Sequence, residues 1–295
     1  MATLTQRRSE NVTGDFYVDS TCIDCDTCRW MSPTVFSRVG TQSAVSHQPN
    51  HAGERRAAIQ ALLSCPTASI GTIERPTDVK ATQATLPIPI TATVYHCGYH
   101  SEKSFGAASY FIQRDGGNVL VDSPRFTPPL VQQLEAMGGI RYLYLTHRDD
   151  VADHAKFQQY FGCDRLLHQD DITPDTANIE QVLQGTEAIA LTPDLLIIPV
   201  PGHTKGHTVL LYTPPNASSI LFTGDHLAWS EPLQHLHGFR RHCWYSWPIQ
   251  IESMKTLLNY DFEWVLPGHG RRYQGDRPTM HHQLQHCIDW MKTQP

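Results

Sequence analysis

The sequence predicts an α+β protein made of two blocks joined by a linker. The first 65 residues hold four of the eight cysteines, at the close spacing of a motif that binds a metal or a cluster. Later in the chain, short apolar runs typical of strands alternate with helical patterns, as in a layered fold. Between these blocks, residues 76–91 are rich in Pro, Thr and Ala and show little periodicity. We therefore predict a small domain at residues 12–75, a linker at 76–91 and a larger domain at 92–295.

Several apolar runs of the second block end in Asp or His, which predicts strands with polar side chains at their ends. The predicted strands are 108–113, 118–123, 141–147, 194–200, 208–213, 219–225 and 263–269. Helical spacing, with Pro near the start or Gly after the end of some segments, predicts helices between them. The predicted helices are 128–137, 152–161, 249–259 and a last one from about residue 279.

The charge and hydropathy of the chain argue against two classes of binding partner, nucleic acids and membranes. The net charge of −6 and the pI near 6.3 give no overall attraction for the phosphates of a nucleic acid. No apolar run approaches the roughly 18 residues that cross a bilayer, and the paired arginines of "MATLTQRRSENVTG" are not followed by an apolar region. We therefore expect a cytoplasmic protein with a small-molecule substrate, and neither a nucleic acid nor a membrane as a partner.

The cysteines of the first block have the spacing of an iron–sulfur motif. "CIDCDTC" separates Cys22, Cys25 and Cys28 by two residues each, and "LLSCP" adds Cys65. Three close thiolates and a distant fourth are typical of a cubic cluster. A structural zinc site or unrelated thiols are the alternatives, although zinc more often takes paired CxxC units or Cys/His mixtures.

The stretch from about residue 15 to 74 resembles the small bacterial-type ferredoxins that carry a single 4Fe-4S cluster. The resemblance includes Pro33 and Phe36 after the cysteine triplet, and the helix that leads into Cys65 and Pro66. It implies that all four thiolates bind one cluster, which serves either one-electron transfer or structure alone.

The second block carries five polar motifs in order, each after an apolar run. A lone His in a loop rich in Gly and Pro is more often a capping or surface residue than a ligand, but five such motifs in sequence are hard to explain in that way. The motif residues are Asp122 in "NVLVDS", His147 in "THRDDVADH", His203 in "VPGHTKGHT", Asp225 in "LFTGDH" and His269 in "VLPGHG".

Together these motifs resemble the metallo-β-lactamase superfamily over residues 92–270, in particular its glyoxalase II-like hydrolases and related iron oxidoreductases. The resemblance implies an αββα sandwich that follows the ferredoxin-like domain and holds one or two divalent metals, iron, zinc or manganese. It implies that His147 and His203 bind one metal, and that Asp153, His154 and His269 bind the second. Asp225 would bridge the two metals, and Asp122 would orient the loop. In the family, the aspartate of the Asp-His pair also positions and deprotonates the attacking water, and Asp153 occupies that place here. The resemblance therefore makes Asp153 and Asp225 the predicted catalytic residues.

One motif departs from the family. The pattern His-x-His-x-Asp-His has two extra residues here and lacks its middle His, so Asp149 or its neighbour Asp150 is the only substitute ligand available. An aspartate in that position would favour harder metals such as iron or manganese over zinc. The longer loop could instead carry both aspartates outward and leave a single-metal site of Asp153, His154, Asp225 and His269. Loss of catalysis is the third possibility.

Residues 226–248 are dense in His, Arg and aromatic side chains. They either pack Trp229, Trp244 and Trp247 into the core or form a pocket wall. In the second case, Arg240 or Arg241 would meet an anionic group of the substrate and Tyr245 would donate a hydrogen bond.

Three functions are compatible with these features. The first is a metal-dependent hydrolase of a small ester or thioester with an attached iron–sulfur domain. The second is an oxidoreductase in which the cluster passes electrons to a mono-iron or di-iron centre, with a protein as electron donor or acceptor. The third is a non-catalytic iron–sulfur protein with a regulatory or interaction role. The sequence does not name the substrate, because fold does not fix function.

Overall fold

A computed structural model gives the positions of residues 2–294, which divide into two units. Within these residues, the first unit comprises 2–141 and 152–163, and the second comprises 142–151 and 164–294. The first unit thus includes the predicted small domain and also part of the predicted larger one, so the predicted domain limits stay predictions. No helix within residues 2–294 combines the length and the apolar character needed to cross a bilayer.

The helices and strands are numbered in chain order. The helices are α1 Thr27–Met31, α2 Ala52–Ser64, α3 Val79–Gln83, α4 Pro128–Ala136, α5 His154–Phe161, α6 Trp247–Thr256 and α7 Arg277–Thr293. The strands of the first unit are β1 Phe16–Val18, β2 Phe36–Val39, β3 Gln42–Val45, β4 Ile70–Thr72, β5 Ile88–Pro89, β6 Val94–His96, β7 Tyr110–Ile112 and β8 Val119–Val121. The strands of the second unit are β9 Tyr142–Tyr144, β10 Asp164–His168, β11 Gln181–Leu183, β12 Ile189–Thr192, β13 Leu195–Pro199, β14 Thr208–Tyr212, β15 Ile220–Gly224, β16 Ala228–Ser230, β17 His235–His237, β18 Trp264–Pro267 and β19 Tyr273–Gln274.

The cysteine-rich part of the first unit has its own small core. β1 pairs with β4 and β2 pairs with β3, both antiparallel. Buried Phe16, Val35, Phe36 and Ile59 form the centre of this core, and Cys28 and Cys65 belong to the same cluster of side chains. Burial of these apolar side chains fixes α2 and the "CIDCDTC" loop in place.

The rest of the first unit contains an antiparallel meander in which β5, β6, β7 and β8 pair in chain order. The segment predicted as a linker contributes α3 and β5 to the fold. These elements are only five and two residues long. Runs this short are too brief to show a period in the sequence.

The second unit is built on a six-stranded sheet of order β12-β13-β14-β15-β18-β19. Its strands are antiparallel except for the parallel pair β15 and β18. α6 and α7 cover an apolar face that includes Val209, Leu221 and Val265. β9, β10 and β11 form a parallel ladder in the same unit.

The predicted elements of the second block are confirmed. Each predicted strand contains one observed strand, β7, β8, β9, β13, β14, β15 or β18, and each predicted helix contains or overlaps an observed one. Capping residues explain where the helices end and begin. α5 ends at Gly162, which has a left-handed φ of +64°, and α7 begins where the Asp276 side chain accepts a hydrogen bond from the Thr279 amide. β10 escaped prediction because its run "DRLLH" begins and ends with polar residues.

Candidate functional site

Four of the predicted motif residues follow strand ends of the second unit. Asp225 comes directly after β15, and His269 comes two residues after β18. His147 and His203 lie in the loops after β9 and β13. The strands themselves are buried and regular, so their ends hold these loops at fixed positions.

His147, His203 and Asp225 form what we call the first ligand group, in which one possible ligand atom from each residue lies within 4.8 Å of the others. The Asp225 Oδ2 atom is 3.9 Å from Nε2 of His147 and 3.7 Å from Nε2 of His203. Ligand atoms that sit about 2.1 Å from a tetrahedral zinc ion lie about 3.4 Å apart. The three atoms therefore have nearly the spacing that a bound cation requires.

Asp150, Asp225 and His269 form the second ligand group, with the same 4.8 Å limit. Nδ1 of His269 lies 2.8 Å and 2.9 Å from the two carboxylate oxygens of Asp225. Asp150 is 1% exposed, and Gly268 passes close to the carboxylates of both aspartates. Two buried carboxylates at one place are costly without cations to balance them.

Unsatisfied nitrogen atoms test whether metals fit here. Nε2 of His147 and both ring nitrogens of His203 are buried and make no hydrogen bond among the described residues. Buried polar atoms of this kind need a partner, and neutral imidazole nitrogen and carboxylate oxygen are common metal ligands. The residues therefore fit one divalent metal in each group, with Asp225 common to both.

The pKa values of His147 and Asp225 are shifted toward the protonation states that bind a metal, a neutral imidazole and an ionised carboxylate. Burial lowers the pKa of His147 to about 4, against the opposing charge of Asp225, so its ring is neutral near pH 7. Burial opposes ionisation of Asp225, but His269 and the neighbouring histidines outweigh it and hold the pKa of this carboxyl well below its usual range. Metal binding near neutral pH would release few protons from this set.

Asp149 lies beside the first ligand group. Its Oδ2 atom is 3.7 Å from Nε2 of His203 and 3.9 Å from Nε2 of His147, and its side chain is 44% exposed. The contact with His203 lowers the pKa of Asp149 despite partial burial. Asp149 is thus an ionised carboxylate at the edge of the group, whereas Asp150 is a buried member of the other group.

Asp153 and His154 belong to neither ligand group. Oδ1 of Asp153 pairs with Nζ of Lys103 at 3.2 Å and of Lys156 at 3.1 Å, and its Oδ2 accepts a hydrogen bond from the Phe126 amide. Both residues lie in the first unit, where Asp153 precedes α5 and His154 begins it. Their predicted metal-binding role, and the catalytic role of Asp153, stay predictions. The same holds for Asp122, a buried residue of the first unit just after β8.

Sequence reasoning missed two residues that support the ligands, His207 and Asp171. The His207 ring stacks on the His147 ring at 4.8 Å, and its Nε2 accepts a hydrogen bond from the Asp225 amide. Buried Asp171 accepts hydrogen bonds from the Arg148 amide, the Thr204 hydroxyl and the Gly206 amide. The Asp171 carboxylate therefore ties together the loops of His147 and His203. His207 could have been noticed in "HTKGHT", but nothing in the local sequence marks Asp171.

The segment around Trp244 forms part of the surface beside His203. The amides of Trp244 and Tyr245 donate to the His203 carbonyl, and their side chains are 58% and 46% exposed. Trp247 is instead buried in the core, with Arg240 over its ring at 5.6 Å. Trp247 thus packs into the core as predicted, whereas the predicted core packing of Trp244 is wrong. The role of Arg240, Arg241 or Tyr245 in a pocket wall stays a prediction.

One buried and one partly buried histidine of the second unit, His226 and His237, should make stability fall in acid. Burial lowers the pKa of His226 to about 3 and of His237 to about 4. In the unfolded chain a histidine has a pKa of about 6.5, so below that pH these rings bind protons in the unfolded state but not in the folded state. Stability is then fully present above about pH 6.5 and decreases as the pH falls toward 4.

His237 is suited to a test of this pH dependence, because it is not a member of either ligand group. We expect His237→Gln to flatten the decrease in unfolding free energy between pH 6.5 and 4, by up to about 1.4 kcal/mol per pH unit at its steepest. Denaturant unfolding of metal-free protein at several pH values measures this. His281→Gln, on the exposed side of α7, is the control and should follow the wild-type curve. Parallel curves for His237→Gln and wild type would contradict the assignment.

The four motif cysteines line one pocket, which we call the cysteine cradle: Cys22, Cys25, Cys28 and Cys65. Asp24 and Asp26 have φ values of +60° and +67°, which lets the loop turn around the cavity. The Ser43 amide donates to Sγ of Cys22 at 3.5 Å, and the Ser69 amide donates to Sγ of Cys65 at 3.2 Å. Backbone amides aimed at sulfur are typical of iron–sulfur sites.

The cradle fits a cluster better than a single zinc ion. Among the described residues, no group of three of these sulfurs lies within 4.8 Å of one another, whereas sulfurs on one tetrahedral zinc are about 3.8 Å apart. Burial raises the pKa of Cys25 to about 11 and raises that of Cys28 as well. Buried thiols of this kind ionise when they bind cationic iron.

Comparisons with known proteins found one matching family and a curated relative. Residues 18–72 match the family described as the 4Fe-4S single cluster domain of ferredoxin I. A hydroxyacylglutathione hydrolase from Xanthomonas campestris pv. campestris (strain B100) is 30% identical over 118 residues, which are 39% of this chain and 44% of the relative. The match therefore spans less than half of that relative.

Two solved structures show the fold. VMB-1 at pH 5.5 is 17% identical, with a TM-score of 0.54 over 70% of this chain and 95% of that one. The DIM-1 metallo-β-lactamase exposed to ceftazidime is 19% identical, also with a TM-score of 0.54 over 70% of this chain and 95% of that one. The predicted family resemblance and the predicted fold class are confirmed: the chain joins a segment that matches the single-cluster ferredoxin family to a larger part with the metallo-β-lactamase fold.

Proposed function

We propose that the protein is a metal-dependent hydrolase of a small ester or thioester, with a 4Fe-4S cluster in the cysteine cradle. The observation that carries the proposal is the pair of ligand groups that share Asp225. A shared carboxylate is what two neighbouring cations need, since it offsets their mutual repulsion. Bound metals would supply Lewis acidity and a water made acidic enough to act as a nucleophile near neutral pH.

We assign Asp150, rather than Asp153 and His154, to the second metal. Asp150 is buried beside Asp225 and His269, whereas the Asp153 carboxylate is occupied by two lysines and the Phe126 amide. The two-residue extension of "THRDDVADH" explains this change, because a longer loop carries different residues past the end of β9. The second group then has two carboxylates and one imidazole, a set that suits iron or manganese as well as zinc.

Asp149 is the group best placed to accept a proton in the reaction. Its carboxylate is ionised, half-exposed and within 4 Å of the imidazoles of the first ligand group. A proton released by the attacking water could therefore move to Oδ2 of Asp149. The exposed rings of Trp244 and Tyr245 lie on the adjacent surface, where they would exclude water from a bound acyl group.

The choice of ester or thioester substrate rests on the similar protein from Xanthomonas campestris, which is named a hydroxyacylglutathione hydrolase. Thioesters of small thiols are therefore the first substrates to test. Release of free thiol, followed by a colour reaction, gives the rate directly.

Asp150→Asn and Asp149→Asn separate the roles of the two neighbouring aspartates. We expect Asp150→Asn to lose about one metal equivalent per chain and most of the thioesterase activity, because a neutral amide is a poor ligand beside Asp225. Asp149→Asn should keep both metals and lower kcat by about 10²-fold or more, the usual contribution of a general base. Metal analysis and steady-state kinetics of both variants and wild type measure these effects. Loss of metal from Asp149→Asn with full retention in Asp150→Asn would reverse the assignment.

The carboxylate-rich second group also favours a second candidate, an oxidoreductase with iron at the metal centre and a protein as electron donor or acceptor. Metal analysis of anaerobically purified protein distinguishes the two functions. Iron well above four per chain, without thioesterase turnover, supports the oxidoreductase. Zinc or manganese together with thiol release supports the hydrolase.

A further inference from the structure

A chain of polar contacts leads from the cysteine cradle to two buried histidines of the first unit. The Thr27 hydroxyl oxygen lies 3.4 Å from Sγ of Cys25 and 3.1 Å from Nδ1 of His100. Nε2 of His100 lies 2.8 Å from Nε2 of His96. His96 and His100 are 0% and 1% exposed, and Trp30 packs beside both rings, at 4.9 Å from His96 and 5.9 Å from His100.

The contacts of His100 fix the position of its proton. Nδ1 of His100 lies 2.6 Å from the Gly106 carbonyl oxygen. A carbonyl oxygen only accepts, so Nδ1 carries a proton and donates it. In the neutral ring Nε2 then has a lone pair, which accepts the Nε2 proton of His96. The two rings thereby hold each other in one tautomer each.

This arrangement leaves the Thr27 proton with two possible acceptors. Nδ1 of His100 has one proton, which it shares between the Gly106 carbonyl and the more distant Thr27 oxygen. The Thr27 oxygen therefore accepts at that contact and its own proton points elsewhere. The possible acceptors are the Gly106 carbonyl at 3.3 Å and Sγ of Cys25 at 3.4 Å. The Gly106 carbonyl already accepts from His100, and a thiolate that binds a cluster carries negative charge, which makes it the stronger acceptor.

We propose that Thr27, held by the His100–His96 pair, donates a hydrogen bond to Cys25 and raises the reduction potential of the cluster. The inference rests on the proposed cluster in the cysteine cradle and adds a residue that tunes it. Uptake of one electron from an external donor adds one negative charge to the cluster and its sulfurs. A hydrogen bond to sulfur stabilises that charge, so the reduced form gains relative to the oxidised form. Thr27 is a positioning residue for electron transfer, and His100 acts through it.

Thr67 provides a matched control within the same cradle. It also lies two residues after a cradle cysteine, but its hydroxyl oxygen is 3.8 Å from Sγ of Cys65 and 2.6 Å from the Ser69 hydroxyl oxygen. The Thr67 hydroxyl is thus engaged by Ser69 and lies farther from sulfur than the Thr27 hydroxyl does.

The experiment is a redox titration of the full-length protein, purified anaerobically with its cluster and followed by absorbance and electron paramagnetic resonance. We expect Thr27→Val to lower the potential, so that at a fixed applied potential the ratio of reduced to oxidised cluster falls severalfold. A tenfold fall corresponds to 59 mV for one electron. Thr27→Ser, which keeps the hydroxyl, should restore the wild-type value, and Thr67→Val should stay close to it.

His100→Phe is the second variant, because it removes the imidazole that orients Thr27 while Thr27 and Cys25 both remain. We expect a shift in the same direction as in Thr27→Val. Unchanged potentials in Thr27→Val and His100→Phe, with the cluster intact, would overturn the inference, as would an equal shift in Thr67→Val. Wild-type protein without a cubic-cluster spectrum would instead refute the proposed cluster itself, so the two failures are distinguishable.

Discussion

Asp225→Asn is expected to remove both metals and to lower thioesterase turnover by about 10³-fold or more. Asp225 is the residue common to the two ligand groups, and it contacts His147, His203 and His269. An amide oxygen carries no charge, so it neither offsets the repulsion of two cations nor binds each as strongly as a carboxylate does. A Lewis-acid contribution of about 4 kcal/mol to the transition state corresponds to about 10³ in rate.

Metal analysis after dialysis, together with thiol-release kinetics, measures this prediction. Asp261→Asn is the matched control, because the Asp261 carboxylate is 73% exposed and pairs only weakly with Arg277 at 3.4 Å. Circular dichroism should show both variants folded. A metal-replete, active Asp225→Asn protein would rule out a centre built around this carboxylate.

Gly106→Ala is expected to abolish cluster binding. A methyl group at this position would lie 2.7 Å from Cβ and 3.0 Å from Sγ of Cys25, and 3.2 Å from Cγ of Pro66. The residue also has a φ of +86°, which costs an alanine about 1–2 kcal/mol. Because Cys25 is fixed within the short "CIDCDTC" loop, the clash moves its sulfur away from the position that the cluster requires.

Gly40→Ala separates the clash from the backbone strain. Gly40 has a similar φ of +67°, but a methyl group there meets no atom within 4 Å. Gly40→Ala should therefore lose a little stability and keep its iron, sulfide and visible absorbance. Equal iron contents in the two variants would show that Gly106 does not limit the cradle.

The sequence predicted those parts of the protein whose signals are local. The spacing of Cys22, Cys25 and Cys28 is typical of a loop around a cluster, and strands β13, β14, β15 and β18 coincide with largely apolar runs. The motif positions of His203, Asp225 and His269 pointed to the side chains that the structure gathers with His147.

Which aspartate of the loop "THRDDVADH" joins a ligand group could not be predicted in the same way. The missing histidine falls on Asp149 when the motif is counted forward from His147, and on Val151 when it is counted back from His154, because an insertion has no defined register in sequence. Only the fold shows that Asp150 is the buried aspartate beside Asp225 and that Asp153 is held by Lys103 and Lys156. Asp171 escaped notice for a related reason, since its partners lie 23 to 35 residues away in the chain.

Asp171 also has a consequence for the order of assembly. By anchoring Arg148, Thr204 and Gly206, it fixes the loops of two ligands with hydrogen bonds that require no metal. The conformational entropy of arranging His147 and His203 is thus lost when the chain folds, and not when a cation arrives. A metal centre at this place would consequently be a preorganised receptor, and we expect the second unit to stay folded when its ions are removed, in contrast to small domains that fold only around their metal.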